Sequence, residues 1–303
     1  MSRAVLFDST LCIGCRGCQV ACKEENRNPA EVTKFFAAPG GYQNPPALSA
    51  TTFTLVTYHE LENAWGDPKW AFVRRQCMHC LDAACVANCP VSAMQKAEDG
   101  TVFYEQAKCI GCGTCVSVCP FGVPVLELRE PGPRVWKCTF CQDRVSHATV
   151  PDVLNEGRST PDVLDQPKKA RHLAARRAPA CVAACPTGAL KHGDRDALLA
   201  EARGRIQQHP ERYVSHIYGE TEAGGTAWLY LAAVPFGDIG LPTRFEHLPD
   251  APHESATFGA WPPHMLGLGA LVGSWCWYAR RRERVAAAEP SDAEERAPCS
   301  PPT

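Results

Sequence analysis

The sequence predicts an α+β fold in two interleaved modules, followed by a single apolar helix and a polar tail. Three observations predict it. Sixteen of the eighteen cysteines fall into four groups, at residues 12–22, 77–89, 109–119 and 138–185, leaving Cys276 and Cys299 apart. Between the groups lie short strand and helix signals, separated by stretches rich in Pro, Gly and Asn. Near the carboxy end, the twenty-five residues between Glu254 and Arg280 contain no Asp, Glu, Lys or Arg. A chain of 303 residues has ample material for a core, and a formal net charge of −2 gives no reason to expect nucleic acid. It is too long, and its cysteines too unevenly spaced, for a disulfide scaffold.

The third group names the chemistry. In Cys109-Ile-Gly-Cys112-Gly-Thr-Cys115-Val-Ser-Val-Cys119-Pro120, two, two and three residues intervene between the cysteines. Three close thiolates in a glycine-relieved loop can wrap a 4Fe–4S cubane, with Gly111 and Gly113 letting the backbone N–H groups curl toward the sulfides. Pro120 lacks an N–H and steers the residue before it off helical geometry, turning Cys119 away from its own loop. A zinc ribbon would instead show paired C-x2-C knuckles with a longer spacer.

In chain order, Ala4–Asp8 predicts a strand that delivers Cys12, Cys15, Cys18 and Cys22, where the two-two-three spacing recurs. Residues 26–50 predict a loop, and Phe53–Leu61 and Trp70–Arg75 predict strands. The second group is Cys77, Cys80, Cys85 and Cys89, with four residues in its middle gap and Pro90 after it. His79, inside Cys77-Met-His-Cys80, is expected to serve a surface or packing role, because four cysteines already supply the ligands. Pro90–Met94 predicts the start of a short helix, and Thr101–Tyr104 a strand. The fourth group is split, with 39 residues between Cys138–Cys141 and Cys181–Cys185. The insert at 148–178 repeats Pro-Asp-Val-Leu and ends on the basic run 168–177, expected to be a solvated loop. Arg195–Gln208 predicts a helix with Ala197, Leu198, Ala202 and Ile206 on or near one face, and Gly224–Val234 a strand entered through a glycine turn. The expected domains are residues 1–75 with 137–245 as the outer module, 76–136 inserted within it, a linker at 246–260, an apolar helix at 261–279 and a disordered tail at 280–303.

In two-cluster ferredoxins the fourth cysteine of such a run ligates the other cluster. The same exchange here pairs adjacent groups and, by remainder, the outer ones, making both modules bacterial-ferredoxin-like. The expected ligand sets are Cys12, Cys15, Cys18 and Cys185; Cys77, Cys80, Cys85 and Cys119; Cys109, Cys112, Cys115 and Cys89; and Cys138, Cys141, Cys181 and Cys22. Four 4Fe–4S clusters close to one another form a path for electrons. With every iron site held by protein, no position stays open for substrate and no catalytic residue is expected. The alternative is a structural protein whose clusters brace a binding surface.

The apolar stretch Met265–Ala279 would cover about 22 Å as a helix, short of a hydrocarbon core of about 30 Å. Extended to Trp261 it is expected to form a short transmembrane span, with Trp261 at one end and Trp275, Trp277 and Tyr278 at the other; the alternative is a buried helix or an interfacial segment. Gly269-Ala-Leu-Val-Gly273 suits close packing on another membrane helix, and Cys276 would pack there too. Arg280, Arg281, Arg282 and Arg284 follow it, while no Lys or Arg stands at 246–260. The positive-inside rule then puts the tail, with Cys299 as a free thiol, in the cytoplasm and the cluster domain outside. Such thiolates must reach iron before oxidant, which favours cluster assembly in a reducing cytoplasm, and the first residues show neither an apolar signal core nor a twin arginine.

Four cysteine groups in this order, the second spaced C-x2-C-x4-C-x3-C-P and the fourth split, resemble the iron–sulfur subunits of the molybdopterin oxidoreductase family. The segments Lys137-Cys-Thr-Phe-Cys-Gln-Asp-Arg-Val-Ser146 and Pro179-Ala-Cys-Val-Ala-Ala-Cys-Pro-Thr-Gly-Ala189 are similar to the beta subunit of membrane-bound formate dehydrogenase. Ile217-Tyr-Gly-Glu220 with Gly224-Gly-Thr226, and the terminal anchor, are similar to the iron–sulfur subunit of membrane-bound uptake hydrogenase. The family pattern is much shorter where residues 148–178 stand, which leaves the docking surface there open. All sixteen ligand positions are cysteine, so the three-iron cluster of nitrate reductase relatives is not expected. The resemblance implies an electron-transfer subunit between a catalytic formate dehydrogenase subunit and a membrane cytochrome b with its quinone. Hydrogenase, polysulfide reductase and sulfoxide reductase partners stay open. It implies export together with a twin-arginine-bearing catalytic partner, giving a single-pass inner-membrane protein with its cluster domain in the periplasm. The alternative is a complex on the cytoplasmic face.

Overall fold

The computed structural model describes residues 2–32, 44–62, 68–129, 132–146 and 178–245, and in the carboxy-terminal part 274–275, 277–278 and 280–282. The chain divides into two units, Met1–Ala251 and Pro252–Thr303.

The first unit is organised on a three-stranded sheet. Strand β1 (Arg3–Asp8) lies between β8 (Leu190–Asp194), antiparallel to it, and β9 (Trp228–Leu231), parallel to it. Ala4, Val5, Leu6 and Phe7 are all buried, as are all four residues of β9. A strand covered on both faces carries a continuous apolar run rather than an alternating one, and Ala-Val-Leu-Phe is such a run. The expected strand across Gly224–Val234 is shorter than the sequence suggested. Its entry is a 3-10 turn at Glu222–Gly224, and Gly225 has φ +91°. Thr226 N–H bonds to Gly219 O at 2.8 Å and Ala227 N–H to His79 O at 3.0 Å, so these donors go to loops instead of a ladder.

Among the described residues three further antiparallel pairs form: β2 (Leu55–Glu62) with β3 (Pro68–Arg75), β4 (Met94–Lys96) with β5 (Val102–Tyr104), and β6 (Val125–Arg129) with β7 (Gly132–Trp136). No helix follows Pro90, contrary to expectation. Ser92 has φ +49°, which interrupts helical winding, and residues 94–96 pair with β5 instead. The short helix of this region precedes the proline, at Ala84–Ala87. Thr101 is not in the strand either, because its N–H and hydroxyl both bond to the Asp99 carboxylate, at 3.0 and 2.7 Å.

The helix Arg195–Gln208 forms where the pattern placed it. The Asp194 carboxylate caps it, accepting from the N–H groups of Asp196 and Ala197 at 3.1 and 3.3 Å. Its buried residues are Leu198, Leu199 and Ala202, with Ile206 packed against the core; Ala197, expected on that face, is exposed. The helix is tied to the sheet through Asp8, buried at the end of β1. The Asp8 carboxylate accepts from Arg205 Nη1 and from the Tyr213 hydroxyl, each at 2.8 Å, and from the Thr10 hydroxyl at 2.6 Å. That network fixes the point where the chain leaves the sheet for the first cysteine loop.

In the second unit, Ser274, Trp275, Trp277, Tyr278 and Arg280–Arg282 are helical and exposed, and the Arg281 guanidinium lies 5.2 Å above the Trp277 ring. Among the described residues no helix is long and apolar enough to cross a membrane. Most of the span expected at 261–279, the tail with Cys299, Cys276, and the insert from 148 to 177 lie outside the described residues.

Candidate metal centres

The four C-x-x-C loops share one backbone conformation. The residue just before the second cysteine is left-handed in each: Gly14 at φ +66°, His79 at +49°, Gly111 at +70° and Phe140 at +62°. A left-handed residue there reverses the chain so that the two flanking thiols can face one centre. Glycine adopts it freely, and at Gly111 it is obligatory, since a Cβ would stand 2.4 Å from Pro133 Cγ and 2.6 Å from its carbonyl oxygen. His79 and Phe140 carry side chains at the same strained position and are held by packing. Both are buried, and their rings meet edge to face with centroids 4.9 Å apart. His79 Nδ1 also accepts the Val102 N–H at 3.0 Å, pinning the second cysteine loop to β5. Burial, then the charges of Lys137 and Arg74, push the His79 imidazole well below its usual range, so it stays neutral as an acceptor must. Of the two roles expected for His79, packing is the one it has.

The thiols gather by cavity rather than by sequence group. One cavity is lined by Cys77, Cys80 and Cys85 together with Cys119. A second is lined by Cys109, Cys112 and Cys115 together with Cys89. Each fourth cysteine therefore lies in the other group's cavity. In the outer groups, burial pushes the Cys12 thiol up to about 11; the Gly14 N–H opposes this, and Cys18, Cys185 and Cys15 add to it. Cys141 is pushed up to about 12 by burial first and by Cys181, with Ala180 N–H opposing and Cys22 and Glu25 adding. These neighbours again cross the chain, since the first group meets Cys185 and the fourth meets Cys22. The helices Gly17–Glu25 and Ala180–Ala183, which carry Cys18, Cys22 and Cys181, pack against each other.

This donor set fits iron–sulfur clusters. Thiolates buried and crowded together repel one another and require a positively charged core to stay ionised. N–H groups are already directed at several sulfurs: Phe140 N–H to Cys138 Sγ at 3.4 Å, Met94 N–H to Cys89 Sγ at 3.4 Å, and Val123, Phe121 and Gly122 N–H groups toward Cys119. Such bonds stabilise cluster sulfur. Among the described residues no group of three or more His, Cys, Asp or Glu side chains is placed to hold a single metal ion. Sequence reasoning had no signal for Phe140 or for the buried Lys137, whose ammonium donates to Cys138 O at 2.9 Å and also reaches Val102 O.

Comparison with known proteins agrees with this chemistry. A 4Fe-4S dicluster domain matches residues 68–159 and a 4Fe-4S binding domain residues 9–26. The chain is 35% identical over 299 residues to a protein of Nitratidesulfovibrio vulgaris, covering 98% of this chain and 72% of that one. It is 30% identical to the hydrogenase-2 operon protein HybA of Escherichia coli, covering 90% of this chain and 82% of that one. It is 32% identical over 270 residues to the nitrate-inducible formate dehydrogenase iron-sulfur subunit of Escherichia coli, covering 88% of this chain and 79% of that one. With cysteine-lined cavities, dicluster domains and relatives of this kind, the chain belongs to the family of iron–sulfur electron-transfer subunits that includes the formate dehydrogenase iron-sulfur subunits and HybA.

Proposed function

We propose that this chain carries four 4Fe–4S clusters and relays electrons from a catalytic formate dehydrogenase subunit, or from a hydrogenase subunit, to a membrane cytochrome b and its quinone. The proposed ligands are Cys12, Cys15, Cys18 and Cys185; Cys77, Cys80, Cys85 and Cys119; Cys109, Cys112, Cys115 and Cys89; and Cys138, Cys141, Cys181 and Cys22. When bound, such clusters supply one-electron steps without binding substrate. The observation that carries the reading is the crossing of Cys89 and Cys119 between the two cavities, because it forces two sites to be built side by side. It also supports nesting residues 76–136 within an outer module of 1–75 and 137–245. Beside the third-group loop, Ile110 and Leu128 are strongly exposed and Cys112 is open to solvent, which suits a partner subunit docking there.

Anaerobic analysis of the full chain is expected to give about sixteen irons and sixteen sulfides per protein, all reducible at biological potentials. About eight of each would remove the four-cluster claim. Redox-silent centres would favour the bracing role.

The same reading anchors the chain through a span at 261–279, with the tail inside and the clusters outside. The four arginines from Arg280 to Arg284, and the stacking of Arg281 on Trp277, support it. Truncation at Pro249, near the boundary between the two units, is expected to release a cluster-loaded protein from washed membranes while the full chain stays bound. Equal release of both forms would exclude the anchor. Protease added to intact spheroplasts should cleave the cluster domain; protection until lysis would place the complex on the cytoplasmic face.

A further inference from the structure

At the end of β3, Arg74 points its whole side chain inward and is only 1% exposed. Its guanidinium carbon lies 4.2 Å above the Trp228 ring, and Nη2 donates to the Thr54 hydroxyl at 2.7 Å. Nε and Nη1 are buried without a hydrogen-bond partner, and among the described residues Arg74 forms no ion pair with a carboxylate. A buried guanidinium with most of its donors unpaired is strongly unfavourable unless negative charge faces it.

It sits between the elements that carry the outer thiols: Val56, its partner across the hairpin, donates its N–H to Gln19 in the helix of Cys18 and Cys22, and Trp228 beneath the guanidinium meets the Phe140 ring, between Cys138 and Cys141, with centroids 5.9 Å apart. Burial opposes its charge, and the groups that act on it most strongly through space are Cys181, Cys18, Cys138 and Cys22. Cys18 belongs to one proposed ligand set, and Cys22, Cys138 and Cys181 to another. One cation thus faces both sites of the outer module. In the inner module the charges acting on Cys80, Cys115 and Cys119 are neighbouring thiols, with Lys137 acting on Cys85.

A cubane held by four thiolates carries net negative charge and gains one more on one-electron reduction. A fixed positive charge nearby, in a medium of low dielectric, stabilises the reduced form more than the oxidised one. We propose that Arg74 is a positioning charge shared by the clusters of the first and fourth cysteine groups, raising the reduction potentials of both and leaving the inner pair to Lys137 and the backbone. The inference rests on the four-cluster reading above. It adds that the relay is graded by one buried side chain, held in register by Trp228 and Thr54.

The test is an anaerobic redox titration of the iron-loaded full chain, followed by electron paramagnetic resonance, for the wild type, Arg74→Gln and Arg74→Lys. Iron content of the wild type is measured first; a count well below about sixteen would fail the four-cluster reading itself. With that count met, Arg74→Gln is expected to lower the potentials of two of the four clusters, while Arg74→Lys keeps them near the wild-type values. Unchanged potentials in Arg74→Gln, a shift of one cluster only, or equal shifts in the Gln and Lys variants would overturn the proposal. If Arg74→Gln assembles only the inner pair while Arg74→Lys assembles all four, the charge is required for the outer pair, which supports it. Loss of the same clusters in both variants would mark Arg74 as a packing residue and overturn it.

Discussion

Replacing Cys119 with alanine is expected to empty the site of Cys77, Cys80 and Cys85, not the site of its own sequence group. Cys119 lines the cavity of those three thiols, and Cys77 is among the charges acting on it. The loss should be about four irons per chain. Cys109, Cys112 and Cys115 keep Cys89 as their fourth neighbour and should remain loaded. Because structure in this region depends on its metal, the variant should also lose protection around Cys77–Cys85 in hydrogen exchange. Site-resolved spectroscopy finding instead that the Cys109 loop alone has lost its cluster would show that the groups are not crossed.

Gly111→Val is expected to be as damaging without touching a ligand. A β-branched residue at φ +70° costs about 1–2 kcal/mol in backbone strain alone. The added Cβ would also meet Pro133, whose carbonyl oxygen stands 2.6 Å away. The hairpin of β6 and β7 cannot yield easily, since Arg134 Nη1 donates to Cys109 O at 2.7 Å and ties it to the same loop. The loop must move, and iron at the Cys109, Cys112, Cys115 and Cys89 site should fall by about four per chain. Gly113→Ala is the control. Gly113 is left-handed too, at φ +77°, but its Cβ would meet only Leu126 Cδ2 at 3.7 Å, so the cost is about 1 kcal/mol and the cluster should be retained. Equal iron loss in both variants would mean that backbone conformation, and not the approach of Pro133, governs this site.

The two variants separate what is local in this protein from what is not. The grouping of the thiols and the loop type were legible from the chain itself, because a C-x-x-C spacing confines two thiols to one turn whatever surrounds them. Gly111 announced the tight reversal in the third-group loop. The helix Arg195–Gln208 was legible for a similar reason, as its cap and apolar face lie within a few turns of one another. The strands β1, β2, β3 and β5 were found to within two residues, their apolar or β-branched runs being their own signal.

Other features existed only once distant segments met. His79 and Phe140 hold the same left-handed position as Gly14 and Gly111, but nothing local favours it in a histidine or a phenylalanine. It is maintained by the contact of their two rings across sixty residues of chain and by the Val102 N–H. Residues after Pro90 carried a helix signal that lost to pairing with β5. Arg74 stood in an expected strand with nothing local to mark it, and its burial over Trp228 with Nη2 on Thr54 is a product of packing alone. The sequence by itself determined which thiols stand within one turn of each other and how each loop presents them, since covalent spacing is a local constraint. Only the tertiary structure decided which thiols line one cavity and that Arg74 is buried over Trp228, because packing brings together segments far apart in the chain.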